Sequence, residues 1–389
     1  MEIKTDVIII GGGLAGSLAA YKILTAKPNT NLILLEEKRE LGGHHTWSFH
    51  ESDLPPEAID WVKPFISRSW DRTTVQFPRI EKTTEGKYHS VRSEDLHQIV
   101  TELLGDAVVF GARVERATET QAILKNGDTY TGELVIDSRG LEKLPQPGVN
   151  GFHKFICYDL QLSEPHGVQV PIIMDATCPQ LDGFRYFSLL PWDEKRVLVQ
   201  ETYYSDAPEL NVERISRSIE SFAQRRGWKV LSREREEINC LPMPMTSEYL
   251  TPSNAGEPLP IGTRGGYFHA TTTSPFPDAV KIAEFLANQN ELSTPKTREA
   301  LMRFRRPFVS RQRFYRLLNR FLFFASEPSL RYQVLQALYE QPSDVVARYT
   351  GGRTSWGDRL RVLSGKSSFP LERALKSFSE RVVQGRIEG

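Results

Sequence analysis

Three glycines and one glutamate near the start of the chain have the types and spacing that bind a dinucleotide. Gly11, Gly13 and Gly16 follow the apolar residues 6–10 in a G-x-G-x-x-G pattern. The first glycine of this pattern permits a tight turn, the second lets backbone approach a pyrophosphate, and the third lets a helix pack closely. Glu36 ends a second apolar stretch and can accept a hydrogen bond from a ribose hydroxyl. The sequence therefore predicts a dinucleotide site.

Two further stretches favour FAD over NAD as this dinucleotide. Arg39, Gly42 and Gly43, within the stretch KRELGGHH, resemble the arginine–glycine–glycine element that follows the second strand in many two-domain flavoproteins. Asp137 ends the apolar stretch of ELVIDSRG, as in the strand that returns to the nucleotide in those proteins. An NAD-only site is the alternative.

Several elements must position these residues. Residues 6–10 are predicted to form a strand buried on both faces, as in a parallel sheet. Residues 14–24 have a helical apolar pattern, so the N–H groups of Leu14 and Ala15 would point at the phosphates. Residues 113–130 predict a small antiparallel meander with an Asn-Gly turn.

The composition limits the function classes. The chain of 389 residues exceeds the size of one typical core, so two domains are expected. Lysine plus arginine and aspartate plus glutamate both number 49, which argues against a nucleic-acid partner. Three scattered cysteines argue against a disulfide framework or metal cluster, and His44, His45 and His50 lack partners at ligand spacing. The absence of a signal sequence and of a long apolar window predicts a cytoplasmic protein.

Several stretches in one order resemble the bacterial lycopene β-cyclase family. The stretches are GGHHTWSFH (42–50), PIIMDATCPQLDGFRYFSLLP (171–191), RVLVQETYYSD (196–206), FYRLLNRFLFFA (314–325) and DRLRVLSGK (358–366). The resemblance implies closure of the linear ends of lycopene into β-ionone rings, giving γ-carotene and then β-carotene. It also implies FAD that works in its reduced form, with NAD(P)H as electron source and no net redox turnover.

This chemistry requires an acid that protonates an alkene, an electron-rich surface beside the cation, and a dry pocket. A desolvated carboxylic acid can supply the first, and a reduced flavin the second. The family usually has two acidic residues where this chain has Gln200 and Glu201. Glu201 is therefore the predicted proton donor, although strand alternation would require a bulge to place it where Gln200 would point. Asp175 and Asp182 are the next candidates.

Other segments complete the predicted cofactor site. His44 is a candidate flavin contact, since it follows the paired glycines directly. Gly265 and Gly266 precede a short aromatic strand and a helical pattern that starts near Asp278. The N-terminus of such a helix would favour negative charge on a reduced flavin.

The basic, aromatic residues 303–325 predict contact with a membrane. On a helix, Phe314 and Leu318 lie on one side with Arg316 and Arg320 beside them. Such a helix suits an interface of anionic headgroups, although an ordinary core helix gives the same pattern. The predicted location is the inner face of the cell membrane, where lycopene and upstream carotenoid enzymes would be partners.

The predicted fold is a two-domain α/β flavoprotein with a Rossmann-like FAD-binding domain, an antiparallel β substrate domain and a helical C-terminal region. Residues 1–150, with an excursion at about 50–110, and 256–290 would form the first domain. Residues 151–255 would form the substrate sheet, and 291–389 the helical region. The alternatives are an FAD-dependent monooxygenase or other redox enzyme acting on a hydrophobic isoprenoid, and a carotenoid-binding flavoprotein without catalysis.

Overall fold

The computed structural model describes residues 2–141, 143–144, 149–247, 254–364 and 371–384. These residues form two β-sheets and a helical C-terminal region. The strands are β1 (Glu2–Ile10), β2 (Leu32–Glu36), β3 (Thr46–His50), β4 (Arg68–Phe77), β5 (Ile80–Arg92), β6 (Val108–Phe110), β7 (Val114–Ala117), β8 (Gln121–Leu124), β9 (Thr129–Asp137), β10 (Asn150–Leu162), β11 (Ile172–Asp175), β12 (Phe184–Pro191), β13 (Arg196–Ser205), β14 (Val230–Pro244) and β15 (Leu259–Pro260).

The helices complete the chain order. They are α1 (Leu14–Ala26), α2 (Pro56–Val62), α3 (Ser93–Leu104), α4 (Val212–Arg225), α5 (Phe276–Ala287), α6 (Thr294–Arg320), α7 (Arg331–Tyr339), α8 (Ser343–Thr350), α9 (Trp356–Ser364), α10 (Leu371–Ser377) and α11 (Arg381–Gln384). A π-helical turn at Phe321–Ala325 extends α6, and 3-10 turns lie at Glu51–Asp53, Lys63–Phe65, Gly105–Ala107 and Pro328–Leu330.

The first sheet has the parallel core that the sequence predicts. Its order is β6-β2-β1-β9, and β8 and β7 continue it antiparallel beyond β9, as the predicted meander. Val7 and Ile9 pack against α1 and α5, whereas Ile8 and Ile10 pack against the meander. The strand is therefore buried on both faces, which confirms that prediction.

Gly16 holds α1 close to β1. A Cβ at this position would lie 2.1 Å from the Gly11 carbonyl oxygen and 2.3 Å from Ser138 Oγ. Gly11 itself has a φ of 95°, a left-handed conformation that favours glycine. These two glycines therefore allow the turn and the helix packing that the pattern predicts.

The second sheet has the order β14-β10-β13-β12-β11-β4-β5-β3 and is antiparallel except for β11 with β4. Its strands come from two parts of the chain, residues 46–92 and residues 150–244. The predicted excursion thus contributes to the same sheet as the segment after residue 150. This arrangement, with the helical C-terminal region, confirms the predicted α/β fold class.

Helix α4 covers one face of the second sheet, where Ile219 and Phe222 pack against Ile156 and Phe187. Glu201 is fully buried on this face. Arg185 Nε donates to Glu201 Oε1 at 2.7 Å, and Arg185 Nη2 donates to Ser218 Oγ of α4 at 2.6 Å. The pairing of β13 with β10 and β12 is regular, so Gln200 points to the opposite face.

Helix α6 and its π-helical turn carry the stretch predicted to contact a membrane. Phe314 and Leu322 lie in an internal apolar cluster with Met243 and Leu335. The guanidinium groups beside them are buried as well, and that of Arg320 donates to the carbonyl oxygens of Ser377 and Met245. The part of the prediction that places Phe314 and Leu322 among headgroups is therefore wrong, because these residues pack inside the protein, whereas Phe304, earlier in the same stretch, is exposed. Within the described part of the chain, no helix is both long and apolar enough to span a bilayer.

We expect Glu201→Ala to destabilise the fold, because it leaves the Arg185 guanidinium buried without its carboxylate. Breaking a buried pair in this way costs about 3–5 kcal/mol. Thermal and denaturant unfolding would measure the change. Glu213→Ala is the matched control, since its partner Arg217 and its own carboxylate are exposed on α4. Equal stability of the two variants would contradict the structural role of Glu201.

Candidate functional site

A cavity of about 1280 Å³ extends from the glycine turn after β1 to the free face of the second sheet. A pocket for one small ligand typically measures about 300–1,000 Å³. The cavity therefore exceeds the usual size of a pocket for one small ligand. Its two ends differ in chemistry.

The glycine turn and the start of α1 form the nucleotide end. Gly11, Gly13, Leu14 and Ala15 line the cavity there. Gly13 caps α1 without a side-chain hydrogen bond, and a Cβ built on it would meet nothing within 4 Å. The helix thus presents free N–H groups and its positive dipole end to the cavity, which is the chemistry of a pyrophosphate site.

Glu36 lies at the end of β2 and lines the same end of the cavity. Its Oε2 accepts from the backbone N–H of Gly12 at 2.6 Å, and its Oε1 accepts from that of Lys38 at 2.8 Å. These bonds hold the carboxylate at the cavity surface, and each oxygen has a further lone pair for a ribose hydroxyl.

The turn after β2 brings a different histidine to the cavity from the one predicted. Gly42, Gly43 and His44 have φ values of 81°, 68° and 62°. This left-handed run turns the His44 side chain outward, where it is 65% exposed, while Gly43 and His45 line the cavity. Arg39 is likewise exposed and is not among the lining residues. The structure therefore does not bring Arg39 and His44 to the predicted contact.

Asp137 lies behind the residues that line the nucleotide end of the cavity. Its buried carboxylate pairs with Arg139 at 2.7 Å and with Arg264 at 3.4 Å. The two arginines, rather than Asp137, line the cavity together with Ser138. Asp137 therefore positions charged groups at the cavity.

The glycine pair predicted as a third contact also lies behind the cavity surface. A Cβ on Gly265 would lie 2.6 Å from the Pro260 carbonyl oxygen, and Gly266 is not among the lining residues either. Gly262, Thr263 and Arg264 line the cavity instead.

The start of α5 reaches the cavity through residues 272–275. Thr273 has a φ of 57°, and its hydroxyl lies 2.5 Å from Nδ1 of His153. Burial lowers the pKa of His153 to about 3, so its imidazole is neutral. The N-terminus of α5 thus faces the cavity, as the sequence predicts.

The second sheet supplies an aromatic and apolar lining. The lining residues of this kind are Trp47, Tyr88, Phe155, Ile173, Tyr186, Leu190, Leu198 and Leu241. Burial raises the pKa of Tyr186 to about 12, so its hydroxyl stays protonated. This end of the cavity suits a hydrocarbon, and its aromatic faces can stabilise a cation.

The three predicted acids lie away from the cavity. Glu201 is on the α4 side of the sheet. Asp175 accepts from the Thr177 hydroxyl at 2.6 Å and lies 3.7 Å from the Arg226 guanidinium. Asp182, in a left-handed turn with a φ of 57°, pairs with Lys154 at 3.0 Å. Asp175 and Glu201 lie on the same face of the sheet, each paired with Phe187 of the strand between them, but neither lines the cavity. The proton-donor role predicted for Glu201 has no support from its position.

Two functional groups at the cavity were missed in the sequence. Glu237 and His45 both line it, and Glu237 Oε1 lies 2.7 Å from Nδ1 of His45. The available signal was the alternation in REREEIN, which places Arg235, Glu237 and Asn239 on one face of a strand. The sequence contains no motif that shows which face of this strand lines a cavity. That can be decided only when the neighbouring strands are known.

Solved structures with the same fold are flavoproteins and a reductase-like protein. A geranylgeranyl bacteriochlorophyll reductase-like protein from Thermoplasma acidophilum aligns with a TM-score of 0.66 and 13% identity, over 100% of both chains. HpxO of Klebsiella pneumoniae, complexed with FAD and uric acid, aligns with a TM-score of 0.63 and 15% identity, over 94% of this chain and 97% of that one. At these low sequence identities, the similarity shows a shared fold and no more.

Sequence relatives define the family more closely. A lycopene beta-cyclase from Pseudescherichia vulneris is 34% identical over 386 residues, which are 99% of this chain and 100% of that protein. The family model described as lycopene cyclase protein matches residues 6–376. The chain belongs to the lycopene cyclase family.

Proposed function

We propose that this chain closes the acyclic ends of lycopene into β-ionone rings, an isomerisation in which no atoms are gained or lost. The observation that carries the proposal is the continuous cavity. It joins a dinucleotide-binding turn at one end to an aromatic, apolar surface bearing a buried carboxyl at the other. A hydrocarbon end group could enter the second part while a cofactor occupies the first.

The cofactor in this proposal is FAD, reduced at the expense of NAD(P)H. The N–H groups at the start of α1 would hold its pyrophosphate, and the Glu36 carboxylate would accept from its ribose. When bound and reduced, FAD would supply an electron-rich surface beside the cationic reaction centre. The start of α5, at residues 272–275, would favour negative charge there.

The second sheet would supply the dry pocket and further surfaces that stabilise a cation. Trp47, Phe155 and Tyr186 line the cavity with apolar surface that excludes water, and their faces favour a passing cation. The buried histidine of this region, His153, is neutral and so adds no competing positive charge.

We expect expression of the chain in a lycopene-producing bacterium to convert the red pigment into cyclic carotenoids. The purified protein with pre-reduced flavin should do the same without oxygen and without net NADPH consumption, because the reaction is redox-neutral. Chromatography of the pigments measures both. Dependence on oxygen would instead indicate a monooxygenase, and unchanged lycopene would indicate a binding protein; either result contradicts the proposal.

Gly13 and Gly16 should respond differently to the same substitution. In Gly13→Ala the new methyl group points into the cavity and meets no protein atom, so the fold should persist. A bound pyrophosphate would collide with it, and we expect flavin affinity to fall roughly tenfold, about 1.4 kcal/mol. Flavin absorbance and melting temperature measure the two effects.

Gly16→Ala is the matched control, because its methyl group would lie 2.1 Å from the Gly11 carbonyl oxygen. This variant should lose folded protein as well as flavin. Undiminished flavin binding by Gly13→Ala would contradict the proposed pyrophosphate position.

Because lycopene is a hydrocarbon, we also propose that the protein takes it up at the inner face of the cell membrane. The C-terminal part of α6 packs inside the protein, so this contact is assigned to another exposed surface. On α9, Trp356 is 74% exposed and Leu360, one turn later, is 52% exposed. A tryptophan and a leucine on one side of a helix can enter the interfacial region of a bilayer.

We expect Trp356→Ser combined with Leu360→Ser to weaken binding to vesicles that contain anionic phospholipid roughly a hundredfold or more. The reason is the loss of about 1.5–3 kcal/mol for each large apolar side chain that enters the interface. Vesicle sedimentation measures this. Leu231→Ser, at a 61% exposed leucine of β14, is the control. Equal binding by all variants would contradict a contact through α9.

A further inference from the structure

We propose that Glu237, oriented by His45, is the catalytic residue that donates and recovers the proton during ring closure. This assignment rests on the proposed function and identifies the acid of that same site. The family resemblance places the acid at a different position, where this chain has Gln200.

The sheet register places Glu237 in the same row as that position. Ser188 pairs with Gln200, Gln200 pairs with Cys157, and Cys157 pairs with Glu237 across four neighbouring strands. Paired residues of adjacent strands point to the same face, about 5 Å apart. Glu237 is therefore displaced from Gln200 by two strands, about 10 Å, and faces the same cavity.

The surroundings of Glu237 hold its carboxyl in one orientation. Oε1 lies 2.7 Å from Nδ1 of His45, and Oε2 accepts from the backbone N–H of Thr46 at 3.1 Å. The Cys157 thiol lies 3.8 Å from Oε2. The Glu237 side chain is only 5% exposed, whereas that of His45 is 33% exposed. His45 thus links a buried carboxyl to solvent and can replace a lost proton.

The other titratable groups at the cavity are less suited to protonate an alkene. Among the described lining residues, the remaining carboxylates belong to Glu36, Glu37, Glu40 and Glu115, at the nucleotide end. Tyr88 and Tyr186 have pKa values raised by burial, so they are weaker acids than a free tyrosine. His153 is neutral because burial lowers its pKa to about 3. Glu237 is the carboxyl at the apolar end of the described cavity.

The reaction balances with this single carboxyl. The acid proton bonds to the CH carbon of the terminal double bond, leaving a tertiary cation on the dimethyl carbon. The electron pair of the double bond four carbons along the chain forms the ring bond to that cation, and the charge moves to the methyl-bearing carbon. The newly bonded ring carbon, which carries the polyene chain, then releases its proton to the Glu237 carboxylate, and the electrons of that C–H bond form the ring double bond. No oxidant, reductant or other reactant is consumed.

The test compares Glu237→Gln with Glu237→Asp in the holoenzyme, with lycopene as substrate. The glutamine amide keeps hydrogen-bonding groups toward His45 and Thr46 but has no acidic proton. We expect it to lower the rate of ring formation by about 10²–10⁴, the usual contribution of a general acid. Glu237→Asp retains a carboxyl set back by one methylene group and should form rings faster than the glutamine variant.

Glu236→Gln is the matched control, since Glu236 is the adjacent, exposed residue on the opposite face of β14. It should leave the rate unchanged. Flavin absorbance and melting temperature show that each variant is folded and loaded. His45→Gln, which can still hydrogen-bond to Oε1, should retain more activity than His45→Leu if His45 acts by orienting the carboxyl.

The outcomes separate this assignment from the proposed function. Absence of rings with the unaltered chain would overturn the proposed function and the assignment with it. Ring formation by the unaltered chain, with equal rates for Glu237→Gln and Glu237→Asp, would overturn the assignment alone, whether both rates are high or both are low. A loss confined to the glutamine variant would establish it.

Discussion

The chemistry of this protein depends on the alternation of side chains along the strands of the second sheet. Each strand sends successive residues to opposite faces, and the two faces have different neighbours. One face packs under α4, where Glu201 and Arg185 form a buried pair. The other lines the cavity, with Gln200 and Glu237 in one cross-strand row. A shift of one residue in β13 would exchange these roles, so the regular register determines which carboxyl can reach a ligand.

The same alternation explains why the site was only partly predictable. The glycine turn and Glu36 could be predicted to lie at one place, because the residues that determine their geometry are close in sequence. Gln200 and Glu201 could be assigned to opposite faces from the sequence alone. Which face meets the cavity depends on α4, which follows these residues in the chain and covers the opposite face. The sequence shows that α4 has an apolar side, but only the folded structure shows which face of the sheet that side packs against.

Other differences between the predicted and the observed site also have local physical causes. The left-handed run through Gly42, Gly43 and His44 directs His45 inward, and a one-residue choice of this kind is not encoded by composition. The arginines of α6 were expected at a lipid surface, but buried backbone carbonyls satisfy Arg320 equally well. Glu237 lies in a charged stretch that reads as an ordinary exposed strand until its pairing with β10 is known.

The two sheets enclose one continuous space rather than two separate sites. In a shared space of this kind, whichever molecule binds first becomes a wall for the second. A nucleotide seated at the glycine turn would complete the shape that an entering hydrocarbon meets, and the hydrocarbon would then cover the nucleotide. Binding at one end of the cavity would therefore change the space left at the other end, so the affinities of the two molecules would be linked.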